Sequence, residues 1–391
     1  MSFAQIAGHE GTLQVLKKAV LTGRIPQAYL FVGPPNVGKT LAAVELAKAL
    51  NCEALTDPQT VDDIQPCDQC SSCLRIAKGT HPDFRIVQPV TRIDAIDDEE
   101  TEVDAATAER SQKQDEFVQM EGAEIRISQV RELIGSASLM TNQARRRIYI
   151  ITSAETMNIA AANAFLKTLE EPSAATTFVL TTASPNDLLP TIVSRCQVVN
   201  FHPVPAGVAR DFLASRYPQV SAEQIQSIVA MSSGRIGWAI KLLQQPEVLQ
   251  IRSDLLDLCV RLAQADWVEC LRGGELLVDA AERWWLATNE AELAEKALKA
   301  SRDRILRTSM HDLLDILATW FRDLLLLASE AGAEGIINID RAEQLRGLAG
   351  RYDAKKCQAA CQHLQRMHGQ LGQNANLRLA AENLALRLIV T

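Results

Sequence analysis

The chain has 391 residues, a net charge of −8 and 47% hydrophobic residues. This length and apolar content predict about two to three globular domains with substantial buried cores. The negative charge argues against a chain that coats nucleic acid by itself, although a local basic face or basic partners could still bring DNA close. The sequence has no apolar run long enough to cross a bilayer and no signal-peptide pattern at its start, so we expect a cytoplasmic protein without a membrane partner.

The first motif is "FVGPPNVGKT", which ends an apolar run and precedes the helical pattern "LAAVELAKALN". The order of strand, loop and helix, with the spacing G-x-x-x-x-G-K-[ST], predicts a phosphate-binding loop. In such a loop the glycines let backbone N–H groups surround the phosphates, the lysine reaches the outer phosphates and the hydroxyl holds Mg²⁺. The predicted contacts to ATP and Mg²⁺ are Gly33, Pro34, Gly38, Lys39 and Thr40.

Four cysteines follow that helix with the spacing C-x14-C-x2-C-x2-C. In a reducing compartment this clustering favours metal binding over disulfides. Four thiolates complete a tetrahedral site and leave no open position, so we predict a structural Zn²⁺ held by Cys52, Cys67, Cys70 and Cys73. His81 could replace one ligand, but we interpret it as a surface residue.

The following segments alternate between strand and helix. Apolar strands are predicted at "RRIYIIT" and "TTFVLTT", with the helical "AAANAFLKTLEE" between them, which indicates an α/β domain with a parallel sheet covered on both faces. An acidic segment at about 92–118 is typical of a solvated or disordered insertion. The basic run Arg145–Arg147 could contact DNA phosphates, although such a run is usually a solvated turn. After about Phe201 the patterns are all helical, which predicts an attached helical bundle.

Five segments in a fixed order carry a resemblance to a known family: "GRIPQAYLFVGPPNVGKT", "CDQCSSC", "IRISQVRELI", "AANAFLKTLEEP" and "PTIVSRCQ". Over most of residues 4–245 the chain resembles the AAA+ subunits of the bacterial DNA polymerase III clamp loader, δ′ and its relative γ/τ. The resemblance implies a nucleotide-binding domain at 1–203 with its zinc module at about 50–80, a helical lid at 204–247 and a helical collar at 248–391. It also implies a ring of five subunits, with γ/τ and δ as partners, that meets the sliding clamp and primer-template DNA.

Two positions bear on whether the chain hydrolyses ATP. In a motor subunit the strand after the inserted helix ends in two acids, which assist Mg²⁺ and polarise the attacking water. The resemblance places Thr152 and Ser153 there, and we interpret Glu155 as a helix-start charge beyond the strand. It places Gly237 where a motor has its lid arginine, with Arg235 two residues too early. We therefore expect this site to bind ATP weakly or moderately and to hydrolyse it very poorly.

The motif "SRC" follows the strand "TTFVLTT" and its loop. By resemblance, Arg195 is an arginine finger that reaches the ATP site of the adjacent subunit. The alternative is an arginine paired with a local carboxylate. Thr182 corresponds to a residue that senses the γ-phosphate in active relatives, or it caps the sheet. We interpret Glu170 and Glu171 near a helix end as solvent-facing.

Three classes of function remain open on the sequence. The leading one is a non-motor clamp-loader subunit, the second is a γ/τ-type motor with an atypical acidic strand, and the third is a stand-alone P-loop enzyme such as a small-molecule kinase. In the third class the zinc module and the "SRC" motif would have no use. The sequence reaches Thr391 without the Pro-rich extension expected of a τ form, which we take to weaken the second.

Overall fold

The computed structural model describes residues 3–89, 123–137, 141–170, 175–263, 267–289, 291–329, 335–371 and 375–388. These residues divide into two compact units, the first over 3–89 and 123–240 and the second between 241 and 388. The acidic insertion predicted at about 92–118 and Glu171 lie outside the described residues. None of the described helices is both long and apolar enough to span a membrane.

The first unit contains a five-stranded sheet in the order β2-β3-β4-β1-β5, in which every neighbouring pair is parallel. Its strands are β1 (Ala28–Val32), β2 (Phe84–Val87), β3 (Arg147–Ile151), β4 (Thr176–Thr182) and β5 (Gln197–Asn200). The predicted parallel sheet is therefore confirmed. The two four-residue edge strands, β2 and β5, were not predicted because runs this short give little hydrophobic periodicity.

Helices cover both faces of this sheet. Those of the first unit are α1 (Glu10–Thr22), α2 (Lys39–Asn51), α3 (Ser71–Ala77), α4 (Ile127–Ala137), α5 (Ile159–Glu170), α6 (Pro190–Val193), α7 (Ala206–Arg216) and α8 (Ala222–Ser232), and α9 (Ile236–Gln244) continues into the second unit. Alternate residues of β1 enter two different cores: Phe31 packs with α1 and α2, whereas Leu30 packs with α4 and α5. A strand buried on both faces explains the uniformly apolar "AYLFV".

The described part of the second unit is helical, as predicted. Its helices are α10 (Pro246–Leu262), α11 (Trp267–Thr288), α12 (Ala291–Ala328), α13 (Ala342–Ala349), α14 (Ala354–Leu371) and α15 (Leu377–Arg387). The non-helical backbone of Ser301 kinks α12. The indole of Trp284 is 1% exposed and its Nε1–H donates to Asp312 Oδ2 at 2.9 Å, so this side chain joins α11 to α12. The division into lid and collar at residues 247 and 248 stays a prediction.

A buried carboxylate organises the chain before β3. Asp83 accepts the backbone N–H groups of Asn142, Gln143 and Ala144, with Oδ2 2.8 Å from the nitrogen of Gln143. It also accepts Nη2 of Arg147 at 2.7 Å, and it is 1% exposed. Burial alone would raise the pKa of Asp83, but the backbone donors and the guanidinium outweigh it and lower this pKa to about 2.

This contact corrects the interpretation of the basic run. Arg147 is 4% exposed and pairs with the buried Asp83, so it is neither a DNA contact nor part of a solvated turn. Arg146 donates from Nε to Thr177 Oγ1 at 2.5 Å, and Arg145 donates to the carbonyl of Leu55 at 2.9 Å. The three guanidinium groups therefore join segments that are distant in sequence.

We expect Asp83→Asn to lower the free energy of unfolding by about 3 kcal/mol at pH 7, because it leaves the buried Arg147 without its counter-charge. Since the folded-state pKa of Asp83 is depressed, this stabilisation is fully present above the unfolded-state value of about 4 and is lost as the pH falls towards 2. Urea unfolding at pH 7 and in acid measures both effects. Asp57→Asn, at an exposed carboxylate, is the control, and an equal cost for both variants would contradict the prediction.

Candidate functional site

The predicted phosphate loop lies at the carboxyl end of β1, between the ends of two other strands. Val32 pairs with Thr182 on one side and with Asn200 on the other. The next residue, Gly33, donates its N–H to the carbonyl of Thr182 at 3.1 Å. A Cβ atom at Gly33 would lie 2.1 Å from the carbonyl oxygen of Phe201, so no side chain fits there. The sheet register therefore fixes where the loop begins.

Lys39 is the first residue of α2 and follows Gly38. Its ammonium donates to the carbonyl oxygens of Gly33 and, at 2.7 Å, of Pro34, on the rim of the same loop. Burial lowers the pKa of Lys39 to about 8, and the negative charge of Glu155 opposes that shift. The cation thus lies in the loop, where phosphate oxygens could replace the carbonyl acceptors.

The influence of Glu155 on this lysine was missed by the sequence reasoning. As predicted, Glu155 is in the first turn of a short helix, the 3₁₀ segment Ala154–Thr156. Its Oε2 is buried, and within the described ranges it has no hydrogen-bond partner. No local pattern signals this arrangement, because it depends on how β3 and β1 are placed in the sheet.

The end of β3 carries no charge at Thr152 and Ser153, the two positions that the resemblance assigns to a motor's acids. Thr152 is 6% exposed, and its hydroxyl donates to the carbonyl of Val87 at 3.4 Å. Ser153 has a left-handed backbone with φ 50°, and its N–H donates to Thr181 Oγ1 at 3.2 Å. Neither hydroxyl can serve as a general base near neutral pH.

The two predicted threonine contacts differ in their surroundings. Thr182 is 1% exposed, and its hydroxyl donates to the carbonyl of Ser184 at 2.9 Å, so it caps the end of β4. Thr40 is half-buried in the first turn of α2, directly after Lys39. Sheet and loop thus bring Thr182, Lys39 and Thr40 to one edge of the first unit, as a nucleotide site requires.

The start of α9 packs directly on the loop. Gly237 donates its backbone N–H to the carbonyl of Asn36 at 2.8 Å. A Cβ at Gly237 would approach that oxygen to 2.9 Å, which is too close for an ordinary contact. Arg235 directs Nε to the carbonyl of Ser232 at 3.3 Å, at the end of the preceding helix. Backbone therefore occupies the position that the resemblance assigns to a motor's lid arginine.

His9 is a further loop contact that the sequence reasoning missed. Its Nε2–H donates to the carbonyl of Val37 at 3.1 Å, and its ring lies against Phe201 with centroids 5.0 Å apart. Burial is the main reason that the pKa of His9 is lowered, which favours the neutral ring. A single histidine before a helix gives no sequence signal for this role.

The four predicted cysteine ligands lie together at the far end of α2. Their sulfur atoms are all within 4.8 Å of one another. Sulfurs bound at ~2.3 Å to a tetrahedral Zn²⁺ lie about 3.8 Å apart, so the cluster fits this ion after a small contraction. Backbone N–H groups of Cys67, Cys70 and Cys73 donate to the sulfurs of Cys52, Cys67 and Cys70 respectively, at 3.3–3.4 Å. The donor set suits a structural zinc.

The interpretation of His81 as a surface residue is wrong. Its side chain is 5% exposed, and Nδ1 accepts the backbone N–H of Asp83 at 3.1 Å. His81 therefore supports the segment that leads into β2, and it is not part of the group of possible metal ligands found among the described residues.

Arg195 lies between α6 and β5, and its side chain is 34% exposed. Nη1 donates to the carbonyl of Thr191 at 2.9 Å, and Nη2 contacts Glu170 Oε1 at 2.5 Å. The local carboxylate considered as the alternative partner is therefore present. Burial raises the pKa of the neighbouring Cys196 thiol to about 12, which disfavours its reactive thiolate form.

Comparison with known proteins identifies the family. The family model described as "DNA polymerase III, delta subunit" matches residues 8–205, more than half of the chain, and the model of its C-terminal part matches residues 298–389. The chain belongs to this family. The subunit delta′ of Pseudomonas aeruginosa is 34% identical over 208 residues, which cover 53% of this chain and 52% of that protein.

Two further comparisons extend beyond residues 8–205. The subunit tau of Bacillus subtilis is 25% identical over 394 residues, covering 100% of this chain and 62% of that protein. The structure of a DNA polymerase III gamma subunit-related protein from Thermotoga maritima covers 96% of this chain and 97% of that one, at 15% identity and a TM-score of 0.43. The chain spans about half to three-fifths of the length of the curated relatives named above.

The predicted membership of the DNA polymerase III clamp-loader family, which includes the delta′, gamma and tau subunits, is thus confirmed. This membership does not support the third class considered, a stand-alone P-loop enzyme. The choice between a motor and a non-motor subunit depends on individual residues.

We expect one Zn²⁺ per chain, because structural zinc contributes roughly 10 to 16 kcal/mol to a small module. Cys70→Ser removes one of the four thiolates and should therefore lose the ion. Metal analysis of protein purified under reducing conditions measures the stoichiometry, and limited proteolysis of residues 52–77 reports local unfolding. Cys361→Ser, at a half-buried cysteine of α14, is the matched control and should keep the metal. Parent protein without stoichiometric zinc would contradict the expectation.

Proposed function

We propose that the chain is the non-motor, δ′-type subunit of a DNA polymerase III clamp loader. It assembles with γ/τ and δ subunits in a five-membered ring, which loads the sliding clamp onto primer-template DNA. Its own site binds ATP and Mg²⁺ weakly and hydrolyses ATP negligibly. Its contribution to chemistry is Arg195, which acts in the site of a neighbouring subunit. The cysteine cluster holds a structural Zn²⁺, and the protein works in the cytoplasm.

The backbone contact between Gly237 and Asn36 is the observation that carries this proposal. A motor lid needs a cationic side chain that reaches the γ-phosphate. At Gly237 the N–H is bonded to the loop carbonyl, and even a Cβ would lie 2.9 Å from that oxygen. A longer side chain at this position would require the lid helix to move away from the loop.

The charges around the loop support the same conclusion. Hydrolysis needs a base for the attacking water, and the strand end supplies only the hydroxyls of Thr152 and Ser153. The carboxylate whose charge reaches Lys39, Glu155, lies beyond those two positions. A γ/τ-type motor, the second candidate, would need acids at the strand end itself. The hydroxyls at Thr152 and Ser153 therefore favour the non-motor subunit.

Arginine suits an action across a subunit boundary. Its charge is permanent, and its planar fork can contact two phosphate oxygens at once. Arg195 is partly exposed at the surface of the first unit rather than enclosed in its core. In a neighbouring ATP site the guanidinium would stabilise the charge that develops on the transferring phosphoryl group.

The purified chain should bind ATP with low affinity and show negligible turnover, because neither Thr152 nor Ser153 can accept a proton from water. Calorimetric titration with Mg²⁺ and ATP, together with a phosphate-release assay, measures both properties. Lys39→Ala should abolish the residual binding. Robust hydrolysis by the parent chain that disappears in Lys39→Ala would show a motor subunit instead.

Arg195→Ala should lower the DNA-stimulated ATP turnover of the ring reconstituted with its γ/τ and δ partners. A finger supplied in trans accelerates a single site by about 10³ or more, but the other sites keep their own fingers, so we expect a partial loss. Clamp loading should slow more than assembly weakens. Arg210→Ala, at an exposed arginine of α7, is the control. Unchanged turnover and loading in Arg195→Ala would show that the residue has no catalytic role.

A further inference from the structure

Arg195 is held by its own chain at the surface where it would have to reach a neighbour. The carboxylate of Glu170 lies 2.5 Å from Nη2, and the carbonyl of Thr191 accepts Nη1 at 2.9 Å. The side chains of Arg195 and Glu170 are 34% and 50% exposed, so both can be reached from outside the subunit. The guanidinium thus has an acidic partner at a place that a second subunit can approach.

The location of this acid is unfavourable for the helix that carries it. Glu170 is the last residue of α5, where the carbonyl ends of the helix create a negative potential. A carboxylate at that end is disfavoured unless a cation compensates it, and Arg195 is that cation. Because α6 and β5 bring Arg195 to the end of α5, the pair depends on tertiary structure rather than on helix stability.

We propose that Glu170 is a positioning residue that retains Arg195 on its own subunit until a neighbouring nucleotide displaces it. This inference rests on the proposed role of Arg195 in trans. Carboxylate and phosphate oxygens compete for the same guanidinium fork, and a triphosphate with developing negative charge is the stronger acceptor. Ion pairs between partly exposed side chains contribute little net free energy, so the exchange is accessible when the subunits close. Without the closure, Glu170 keeps the finger out of the neighbour's site.

Removing the charge of Glu170 should therefore make Arg195 available before the ring closes on DNA. In the reconstituted ring, Glu170→Gln should raise the DNA-independent ATP turnover about two- to five-fold, the range expected for the loss of one exposed ion pair. The DNA-stimulated turnover should change little, since the finger is already engaged there. The ratio of stimulated to unstimulated turnover should fall by the same factor, a change that a purely structural role of Glu170 would not produce.

The test compares four proteins in the same ring: the parent chain, Glu170→Gln, Arg195→Ala and the double variant. Glu223→Gln, at an exposed glutamate of α8, is the control and should behave as the parent. Thermal unfolding and zinc content confirm that each chain is folded. The double variant should match Arg195→Ala, because the effect of Glu170 acts only through the guanidinium.

The outcomes separate this inference from the proposed function. If Arg195→Ala lowers turnover but Glu170→Gln leaves the DNA dependence unchanged, the retaining role is overturned and the trans role stands. A rise in DNA-independent ATP turnover in Glu170→Gln that persists in the double variant also overturns the retaining role. The retaining role is likewise overturned if the turnover of Glu170→Gln falls to the level of Arg195→Ala. If Arg195→Ala itself has no effect, the trans role of Arg195 and the retaining role that rests on it are both overturned.

Discussion

The parallel pairing of β1 with β4 and β5 determines where every candidate nucleotide contact lies. Because Val32 is opposite both Thr182 and Asn200, the loop that leaves β1 must pass between two other strand ends. The close approach of Gly33 to the Phe201 carbonyl fixes the first step of that loop. The same sheet places the ends of β3 and β4 side by side, which brings Glu155 within electrostatic reach of Lys39. The register therefore sets both the shape of the site and its field.

Helix α2 connects the two candidate ligand sites of the first unit. Its amino end begins with Lys39, and Cys52 directly follows its last residue. Between them Lys48, 1% exposed, donates to Glu45 at 2.8 Å and to Asp68 at 2.9 Å. Asp68 lies between two of the cysteines, so a buried ammonium ties the helix to the cysteine segment. A buried cation left without one of its carboxylates is costly, and the cysteine segment therefore supports the helix that carries the predicted phosphate loop.

The features that could be predicted from sequence are those encoded locally. The loop, the strands β1, β3 and β4, and the cysteine cluster each depend on residues within one short segment. The interpretation of Arg147 was wrong because its partner, Asp83, is distant in the chain. The interpretation of His81 was wrong because its burial depends on the folded structure, although its hydrogen-bond partner is only two residues away. Asp83 is 64 residues away from Arg147, and nothing in "ARRRIY" shows that the third arginine pairs with a buried carboxylate. The influence of Glu155 on Lys39 was missed because it depends on the order of the strands in the sheet, which is poorly predicted from a sequence pattern.

Under the proposed function, the arrangement explains how one chain can lose its own hydrolysis and still serve a neighbour. The residues proposed to limit its own site, Thr152, Ser153 and Gly237, lie around the predicted phosphate loop. Arg195 is instead anchored beyond α6, by contacts to Thr191 and Glu170 that include no residue of the loop. Substitutions that remove a base or a lid arginine therefore leave the surface arginine in place, because its anchoring contacts are made elsewhere in the first unit. A guanidinium that acts in a neighbouring subunit needs a stable surface and an exchangeable partner. Neither requirement depends on ATP turnover in the chain that carries it.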